Sequence, residues 1–303
     1  MAGSRAGRRS RAGSRQGVRR RAAFRAGCGH CPVNEDTLIR KLRRRAPLIG
    51  DDCAVVPSPA NEDLLFTTDF TIEGVHFTRE AAAAEVGYKA VARSLSDIAA
   101  MGGRPRYCLV SFALAPWTDQ RWIDGFYRGV HKLLRKTKTA LAGGDTSHAS
   151  QFVTDVMVCG SVATGKALLR SGARPGDLLY VSGPLGGWRH KRVIVPRLDV
   201  GRKLIGKATA CMDISDGISL DLHRLAAASG VAAAIDSLPL LDGATLEQAL
   251  HDGEDYELLY TAPARVRVPG IRIGSIVKGK PGRVSFRGKT VPQLGYDHFQ
   301  HRS

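Results

Sequence analysis

The sequence predicts an α/β protein built from two halves that divide near residue 165. Its 303 residues are enough for two domains of ordinary size, and the hydrophobic fraction of 43% is typical of globular cores. From Thr37 onward, short apolar runs alternate with amphipathic segments. A turn-rich stretch at residues 171–177 interrupts this alternation, which then restarts. We therefore expect an N-terminal domain over residues 35–165 and a C-terminal domain over residues 166–303.

The strands and helices of the first half are predicted from the spacing of apolar residues and from the turn-forming residues between them. Residues 64–69 are typical of a strand that ends in polar side chains. Apolar residues over 85–101 recur at three- and four-residue spacing, which predicts a helix that Gly102 and Gly103 end. The remaining predicted elements are a strand over 107–115, a helix over 120–135, and strands over 139–142 and 152–163.

The second half repeats this kind of alternation with shorter strands. The apolar runs predict strands over residues 178–182, 211–214, 231–235 and 256–261, with a helix over 218–229.

The net charge of +17 first suggests a nucleic-acid partner, but its location weakens that interpretation. Residues 1–45 carry a net charge of +12, whereas the other 258 residues carry only +5. Residues 1–34 hold nine arginines, no acidic residue and few apolar side chains, so we expect a disordered extension or a start codon assigned too early. The alternative, an arm for phosphate backbones, would bind only nonspecifically.

The compartment predicted from the sequence is the cytoplasm. No window approaches the 18–20 apolar residues that cross a bilayer, and the Arg-Ser-Gly-Ala start lacks the apolar centre of a secretory signal. Six cysteines are scattered over the chain, which suits reduced thiols. Cys28 and Cys31 flank His30, but without a second pair they are weak evidence for zinc.

The candidate chemistry lies in aspartates placed where strands end or helices begin. Alone, each has a structural explanation: Asp216 could cap a helix, and Asp145 could close a glycine turn. Together, so many carboxylates in apolar, glycine-lined segments would repel one another unless cations lie between them. Oxygen ligands without a His or Cys cluster favour Mg²⁺, which proteins usually hold together with substrate phosphates. These aspartates are Asp51, Asp52, Asp69, Asp97, Asp145, Asp213 and Asp216.

The familiar phosphate-binding motifs are absent from the sequence. It contains no Walker A motif, no dinucleotide fingerprint and no protein-kinase loops. Phosphates would therefore be held by metal, glycine backbone and isolated basic side chains such as Arg170.

Nine segments in the correct order resemble thiamine-monophosphate kinase, a family of the PurM-like ATP-binding superfamily. The resemblance runs from about Thr37 to Phe299 and is carried by residues 49–54, 67–69, 73–77, 89–102, 143–146, 170–177, 213–218, 253–258 and 295–299. It implies a two-domain PurM-like fold of the α+β type, with a mixed sheet in the N-terminal domain. It also implies a homodimer that uses ATP to convert thiamine monophosphate to thiamine diphosphate.

The resemblance further implies roles for individual residues. The Mg²⁺ and phosphate region would comprise Asp52, Thr67, Thr68, Asp69, Asp97, Asp145, Asp213 and Asp216. ATP would be contacted by Gly144, Asp145, Arg170 and Ser215. Thiamine monophosphate would be bound by His76, Glu254 and Tyr296. Several Mg²⁺ ions could then assist in-line transfer without a protein nucleophile, because the acceptor phosphate has a pKa of about 6 and is largely deprotonated at neutral pH.

Other interpretations stay open at this point. A glycine-flanked Cys28 is reminiscent of selenophosphate synthetase, although the usual following lysine is missing, and aminoimidazole ribonucleotide synthetase is another relative. A non-catalytic, Arg-tailed binding protein on a degenerate kinase core is a third interpretation, which the intact aspartates disfavour. The segment after Gly187 is also shorter than the family pattern by about one helix.

Overall fold

Two β-sheets, one from each half of the chain, form the framework of the computed structural model, which describes residues 35–190 and 193–296. The predicted Arg-rich extension, with its Cys28 and Cys31 pair, lies outside the described residues, as do residues 297–303.

The first sheet is mixed, as the resemblance predicts. Its strands are β1 (Ala54–Pro57), β2 (Glu62–Ile72), β3 (Arg104–Leu114), β4 (Ala140–Gly143), β5 (Thr146–His148) and β6 (Val153–Ala163). The order is β1-β2-β6-β3-β4, with β5 also beside β3. The pairs β1–β2, β2–β6 and β6–β3 are antiparallel, whereas β4 and β5 run parallel to β3.

Strand β2 continues past the point where the sequence predicts its end. Asp69 was expected to be the last residue of the strand, but it lies inside β2, in register with Val156 of β6. A central strand can carry polar residues where one of its faces meets a site. Alternation along β2 puts Asp69 on the same face as the buried Leu65, and turns Thr68 and Phe70 to the exposed face.

Three helices accompany the first sheet: α1 (Glu35–Arg43), α2 (Ala83–Ala100) and α3 (Gln120–Thr137). Helix α3 begins at the cap residue Asp119, whose side chain accepts a hydrogen bond from Trp122 N. Helix α2 is buried over most of its length because it packs against α3, against the first sheet and against the second half. It therefore lies between the two halves of the chain.

The α2–α3 crossing is close enough to require glycine on both helices. An added Cβ at Gly87 would lie 2.0 Å from Phe126 O, and one at Gly129 would lie 1.9 Å from Ala84 O. No side chain fits at such distances, so the backbones would have to separate.

The second sheet has seven strands. They are β7 (Asp177–Val181), β8 (Ala210–Asp213), β9 (Ala232–Ile235), β10 (Leu258–Pro263), β11 (Ile271–Val277), β12 (Val284–Phe286) and β13 (Lys289–Thr290). Their order is β13-β12-β9-β11-β7-β10-β8, and every pairing is antiparallel except β12 with β9.

The helices of the second half are α4 (Leu198–Leu204), α5 (Ile218–Ala228) and α6 (Leu246–His251). Helix α4 crosses α2 closely, since a Cβ at Gly201 would lie 1.9 Å from Ala99 O. The core beneath the first sheet continues into the second half through Leu198, Tyr256 and Leu258, while a separate core fills the second sheet. Across the described residues, no helix combines the length and the apolar character needed to cross a membrane.

The strands and helices predicted from periodicity are confirmed, each within a few residues of its predicted bounds. Several short elements were not predicted, namely α1, β1, β5, α4, α6, β11, β12 and β13.

We expect Gly129→Ala to lower the free energy of unfolding by about 2 kcal/mol or more, because the new methyl group must push α2 away from α3. Arg128→Ala, at an exposed position on the same helix, is the control and should change stability by less than about 0.5 kcal/mol. Urea denaturation measures both variants. Equal stability of the two would contradict the close crossing.

Candidate functional site

Three carboxylates, two buried and one partly buried, meet where the two halves of the chain join. Asp52 precedes β1, Asp97 lies in the last turn of α2, and Asp213 ends β8. One carboxylate oxygen from each residue lies within 4.8 Å of the others. We call these three residues the aspartate cluster. The sequence prediction that the aspartates follow strands or precede helices is wrong for Asp97, which faces the site from inside a helix.

Burial and mutual repulsion disfavour the ionised form of the aspartate cluster. Burial raises the pKa of Asp97 well above its usual value, and the charges of Asp69, Asp213 and Asp52 raise it further. Burial likewise raises the pKa of Asp213 well above its usual value, and Asp52 adds to the effect. The Oδ2 atom of Asp52 is buried and has no hydrogen-bond partner among the described residues. An unpaired oxygen beside two further carboxylates fits a hard divalent cation such as Mg²⁺.

Hydrogen bonds and one ion pair fix the orientation of the aspartate cluster. Thr67 Oγ1 donates to Asp97, and Ser96 Oγ donates to Asp213 at 2.6 Å. Arg170 lies 2.8 Å from Asp52, and its backbone N–H donates to Asp51 at 2.6 Å. Burial opposes the charge of Arg170, but Asp52, Asp221 and Asp213 together outweigh that effect and raise the pKa of the guanidinium. Arg170 is therefore a fixed cation beside the cluster.

A second group links Asp69 to residues of both halves. Arg93 of α2 lies 3.4 Å from Asp69 and 3.9 Å from Glu254. Lys89, one turn earlier on α2, donates to Glu254 at 2.7 Å and to the backbone oxygen of His76 at 2.7 Å. The structure thus brings two of the three predicted acceptor-binding residues, His76 and Glu254, to one place.

Hydrogen bonds also fix the His76 ring and the loop that carries Glu254. Ile72 N–H donates to His76 Nδ1 at 3.0 Å, so the neutral ring carries its proton on Nε2. The loop that carries Glu254 adopts positive φ angles at Glu254 (70°) and Tyr256 (49°). It is tied to the chain after β8 by hydrogen bonds from Glu254 N to Ser215 O at 2.7 Å and from Tyr256 N to Ile214 O at 2.8 Å. These bonds offset the backbone strain.

Ser215 and Asp216 lie in the same loop after β8. Asp216 does not cap α5: its carboxylate pairs with Arg224, and Asp221 accepts the backbone N–H groups of Ser215 and Asp216 at 3.1 and 3.0 Å. Burial raises the pKa of Asp221 to about 7, and the charge of Asp216 adds to the effect. Tyr296 N donates to Asp216 O at 2.9 Å, so the half-exposed Tyr296 lies beside this loop.

Three predicted site residues lie elsewhere. Thr68 is on the opposite face of β2 from Asp69, where its hydroxyl donates to Asp155. Gly144 and Asp145 are exposed beyond β4, and Asp145 accepts a hydrogen bond from Thr146 N at 2.8 Å. The register from Asp69 through Val156 to Val110 and Gly144 spans three strand spacings, about 14 Å. One ion cannot bridge Asp69 and Asp145 over that distance.

A cavity of about 430 Å³ opens beside Gly144. It is lined by Val110, Tyr127, His131, Leu141, Gly143, Gly144, Asp145 and Thr146. Gly144 is required here because a Cβ would lie 1.8 Å from Val110 O. The volume of the cavity falls in the range of small-molecule binding sites.

Sequence reasoning missed Lys89, Arg93 and Asp221. Lys89, Arg93 and Asp97 are spaced four residues apart, which puts them on one face of α2. That spacing was visible, but of these three residues only Asp97 was named as a candidate site residue. Asp221 lies in the first turn of α5, where a carboxylate can accept free backbone N–H groups.

Comparisons with known proteins agree with this geometry. Residues 50–162 match the family model "AIR synthase related protein, N-terminal domain". The chain is 33% identical to thiamine-monophosphate kinase of Haemophilus influenzae, over 83% of this chain and 91% of that protein. It is 34% identical to thiamine-monophosphate kinase of Salmonella typhimurium, with the same coverage of both chains. The solved structure of "AaThiL complexed with AMPPCP and TMP" superposes with a TM-score of 0.82 at 32% identity, covering 87% of this chain and 96% of that chain.

We expect Asp97→Asn to raise Tm by about 2–4 °C in metal-free buffer, because it removes one of three mutually repelling buried charges. The same variant should lose most of the Tm increase that Mg²⁺ gives the wild-type protein, since a ligand stabilises only the state that binds it. Differential scanning fluorimetry with and without Mg²⁺ measures both effects. Asp124→Asn on the exposed side of α3 is the control; an Asp97→Asn protein that responds to Mg²⁺ like wild type would refute the metal assignment.

Proposed function

The chain belongs to the thiamine-monophosphate kinase family, and we propose that it transfers the γ-phosphate of ATP to thiamine monophosphate, giving thiamine diphosphate. The observation that carries this proposal is the aspartate cluster with its unpaired Asp52 oxygen. The structural relative with AMPPCP, an analogue of ATP, and TMP supports both substrates.

In this proposal, separate sets of residues bind the metal ions, ATP and thiamine monophosphate. Several Mg²⁺ ions would be held by Asp52, Asp97 and Asp213 together with Thr67, Asp69 and Asp216. ATP is contacted by Gly144, Asp145, Arg170 and Ser215, and Thr68 and Asp145 would be further metal ligands outside the aspartate cluster. Thiamine monophosphate is bound by His76, Glu254 and Tyr296. The cavity beside Gly144 supports a nucleotide there, and the contacts of Lys89 with His76 and Glu254 support a shared acceptor site.

The reaction requires positioning and charge neutralisation rather than a protein nucleophile. Bound Mg²⁺ would supply neutralisation of the phosphate oxygens. Arg170, held beside Asp52, orients an anionic oxygen of ATP. Because the acceptor phosphate is already largely ionised at neutral pH, no side chain has to remove a proton from it.

We also propose a homodimer that forms through the open face of the first sheet. Phe70 and Tyr107 on that face are each 57% exposed. Large apolar side chains on an uncovered sheet face are typical of subunit interfaces. A second copy of this chain is the occupant that the family resemblance implies.

The free cysteines and the two sheets bear on the proposed compartment and the proposed domain division. The described cysteines, Cys53, Cys108, Cys159 and Cys211, are all free thiols, which supports the cytoplasm as the proposed compartment. The sheets of residues 54–163 and 177–290 support the proposed domains 35–165 and 166–303.

Incubation of the purified protein with ATP, Mg²⁺ and thiamine monophosphate should yield thiamine diphosphate, separated chromatographically from a no-enzyme control. Asp→Asn changes at Asp97, Asp145 or Asp216 should each lower kcat by about 100-fold or more, because each removes charge that stabilises the transition state. Asp124→Asn and deletion of residues 1–34 should leave kcat/KM unchanged. Absence of thiamine diphosphate in the wild-type reaction would reject the proposed function.

Phe70→Glu combined with Tyr107→Glu should convert the dimer to a monomer, since two charges cannot be buried unpaired in an apolar interface. Light scattering after size exclusion measures the mass. Trp188→Glu, at a site 55% exposed in the second half, is the matched control and should remain dimeric. A monomeric wild-type protein would rule out the dimer.

A further inference from the structure

The guanidinium of Arg93 is a buried cation at the junction of the two halves. Only 9% of the side chain is exposed. NH2 lies 3.4 Å from Asp69 of β2, NH1 lies 3.9 Å from Glu254 of the second half, and Cζ lies 5.9 Å from the centre of the Tyr256 ring. Arg93 thus joins a carboxylate of the proposed metal region to a carboxylate of the proposed acceptor site.

The charge of Arg93 is maintained by its neighbours. Burial opposes ionisation, but Tyr256, Asp69, Glu254 and Asp97 together outweigh it and raise the pKa of the guanidinium. Lysine and arginine are seldom buried unless they are paired. Without Arg93, the charges of Asp69 and Glu254 would lose a shared counter-charge in a region that is already strongly negative.

The contact with Glu254 is electrostatic rather than a completed hydrogen bond. Arg93 NH1 and Nε, and Glu254 Oε1, are buried and have no hydrogen-bond partner within residues 35–190 and 193–296. Because these N–H groups are buried, a ligand does not reach them directly. Arg93 therefore acts through the residues that it holds.

We propose that Arg93 is a positioning residue that fixes Glu254 relative to Asp69 and thereby sets the affinity of the site for the phosphorylated acceptor. This inference rests on the proposed function, because it takes Glu254 as part of the acceptor site. Lys89 assists at the other oxygen, Oε2, of Glu254, at 2.7 Å. Arg93 differs from Lys89 in also contacting Asp69, so of this pair it is Arg93 whose side chain joins the two carboxylates.

The test compares Arg93→Met, Arg93→Lys and Arg93→Gln with wild type and with Arg106→Met. Arg106 of β3 lies 2.8 Å from Glu62. Glu62 is partly exposed at the start of β2, seven residues before Asp69. Arg106 is therefore the matched control for loss of an arginine ion pair outside the site. The readouts are KM for thiamine monophosphate, KM for ATP, and the rise in Tm that thiamine monophosphate produces in the presence of Mg²⁺.

Arg93→Met should raise KM for thiamine monophosphate about tenfold or more, change KM for ATP less than about threefold, and abolish the acceptor-induced rise in Tm. Arg93→Lys, which keeps the charge, should recover most of the loss. Arg106→Met should behave like wild type in all three readouts. If Arg93→Met does not fold, Arg93→Gln, which keeps polarity without charge, gives the same comparison.

Equal increases in both KM values, or a fall in kcat with an unchanged acceptor-induced Tm shift, would show a purely structural role and overturn the inference. An active wild type with normal KM in Arg93→Met would overturn the inference and leave the proposed function standing. A wild type that is stabilised by thiamine monophosphate but forms no thiamine diphosphate would reject the proposed function. Loss of that stabilisation in Arg93→Met would then still support the positioning role.

Discussion

The repulsion among buried carboxylates at the junction of the two halves is the constraint on which the rest of the structure depends. Asp52, Asp97 and Asp213 come from a loop, a helix and a strand, and place oxygens within 4.8 Å of one another. Such a group is unstable on its own, because burial and like charge both disfavour ionisation. Its geometry therefore has to be imposed by packing elsewhere, and cations have to balance its charge.

Helix α2 imposes much of that geometry. Close contacts at Gly87 with α3 and at Ala99 with Gly201 of α4 fix the helix from both sides. Ser94 and Ser96 then attach it to the two sheets, through Val156 O at 2.7 Å and Asp213 at 2.6 Å. A helix held so rigidly can present charged side chains at fixed positions, which a mobile surface helix cannot.

The sequence predicted the longer elements well because their burial follows one period over many residues. The spacing over 85–101 could come only from a helix with an apolar face, and the long strand over 152–163 was found in the same way. The short strands β12 and β13 were missed because two or three residues do not establish a period. The end of β2 was wrong because polarity at Thr67–Asp69 resembles a strand terminus, whereas here it marks a strand that meets a polar site.

The site was predicted in composition more than in arrangement. Motif order identified most of its carboxylates, but it did not show that Thr68 and Asp69 face opposite sides of β2, which follows from strand alternation once the strand is known to continue. Arg93 escaped attention because arginines are usually solvated, and only the tertiary structure shows which elements bury it. Pairwise contacts between distant segments, such as Lys89 with Glu254, have no periodic signal in the sequence.

The balance of charge at the junction connects these observations to anionic substrates. Among the described residues, eight carboxylates gather there, those of Asp51, Asp52, Asp69, Asp97, Asp213, Asp216, Asp221 and Glu254, and four cations accompany them, Lys89, Arg93, Arg170 and Arg224. The protein's own cations thus leave the site negative, even though the whole chain carries +17. Two phosphorylated substrates would add further negative charge to the site. In the proposed function, divalent cations at the aspartates would balance this charge, and the arginines and lysine would hold the carboxylates in place.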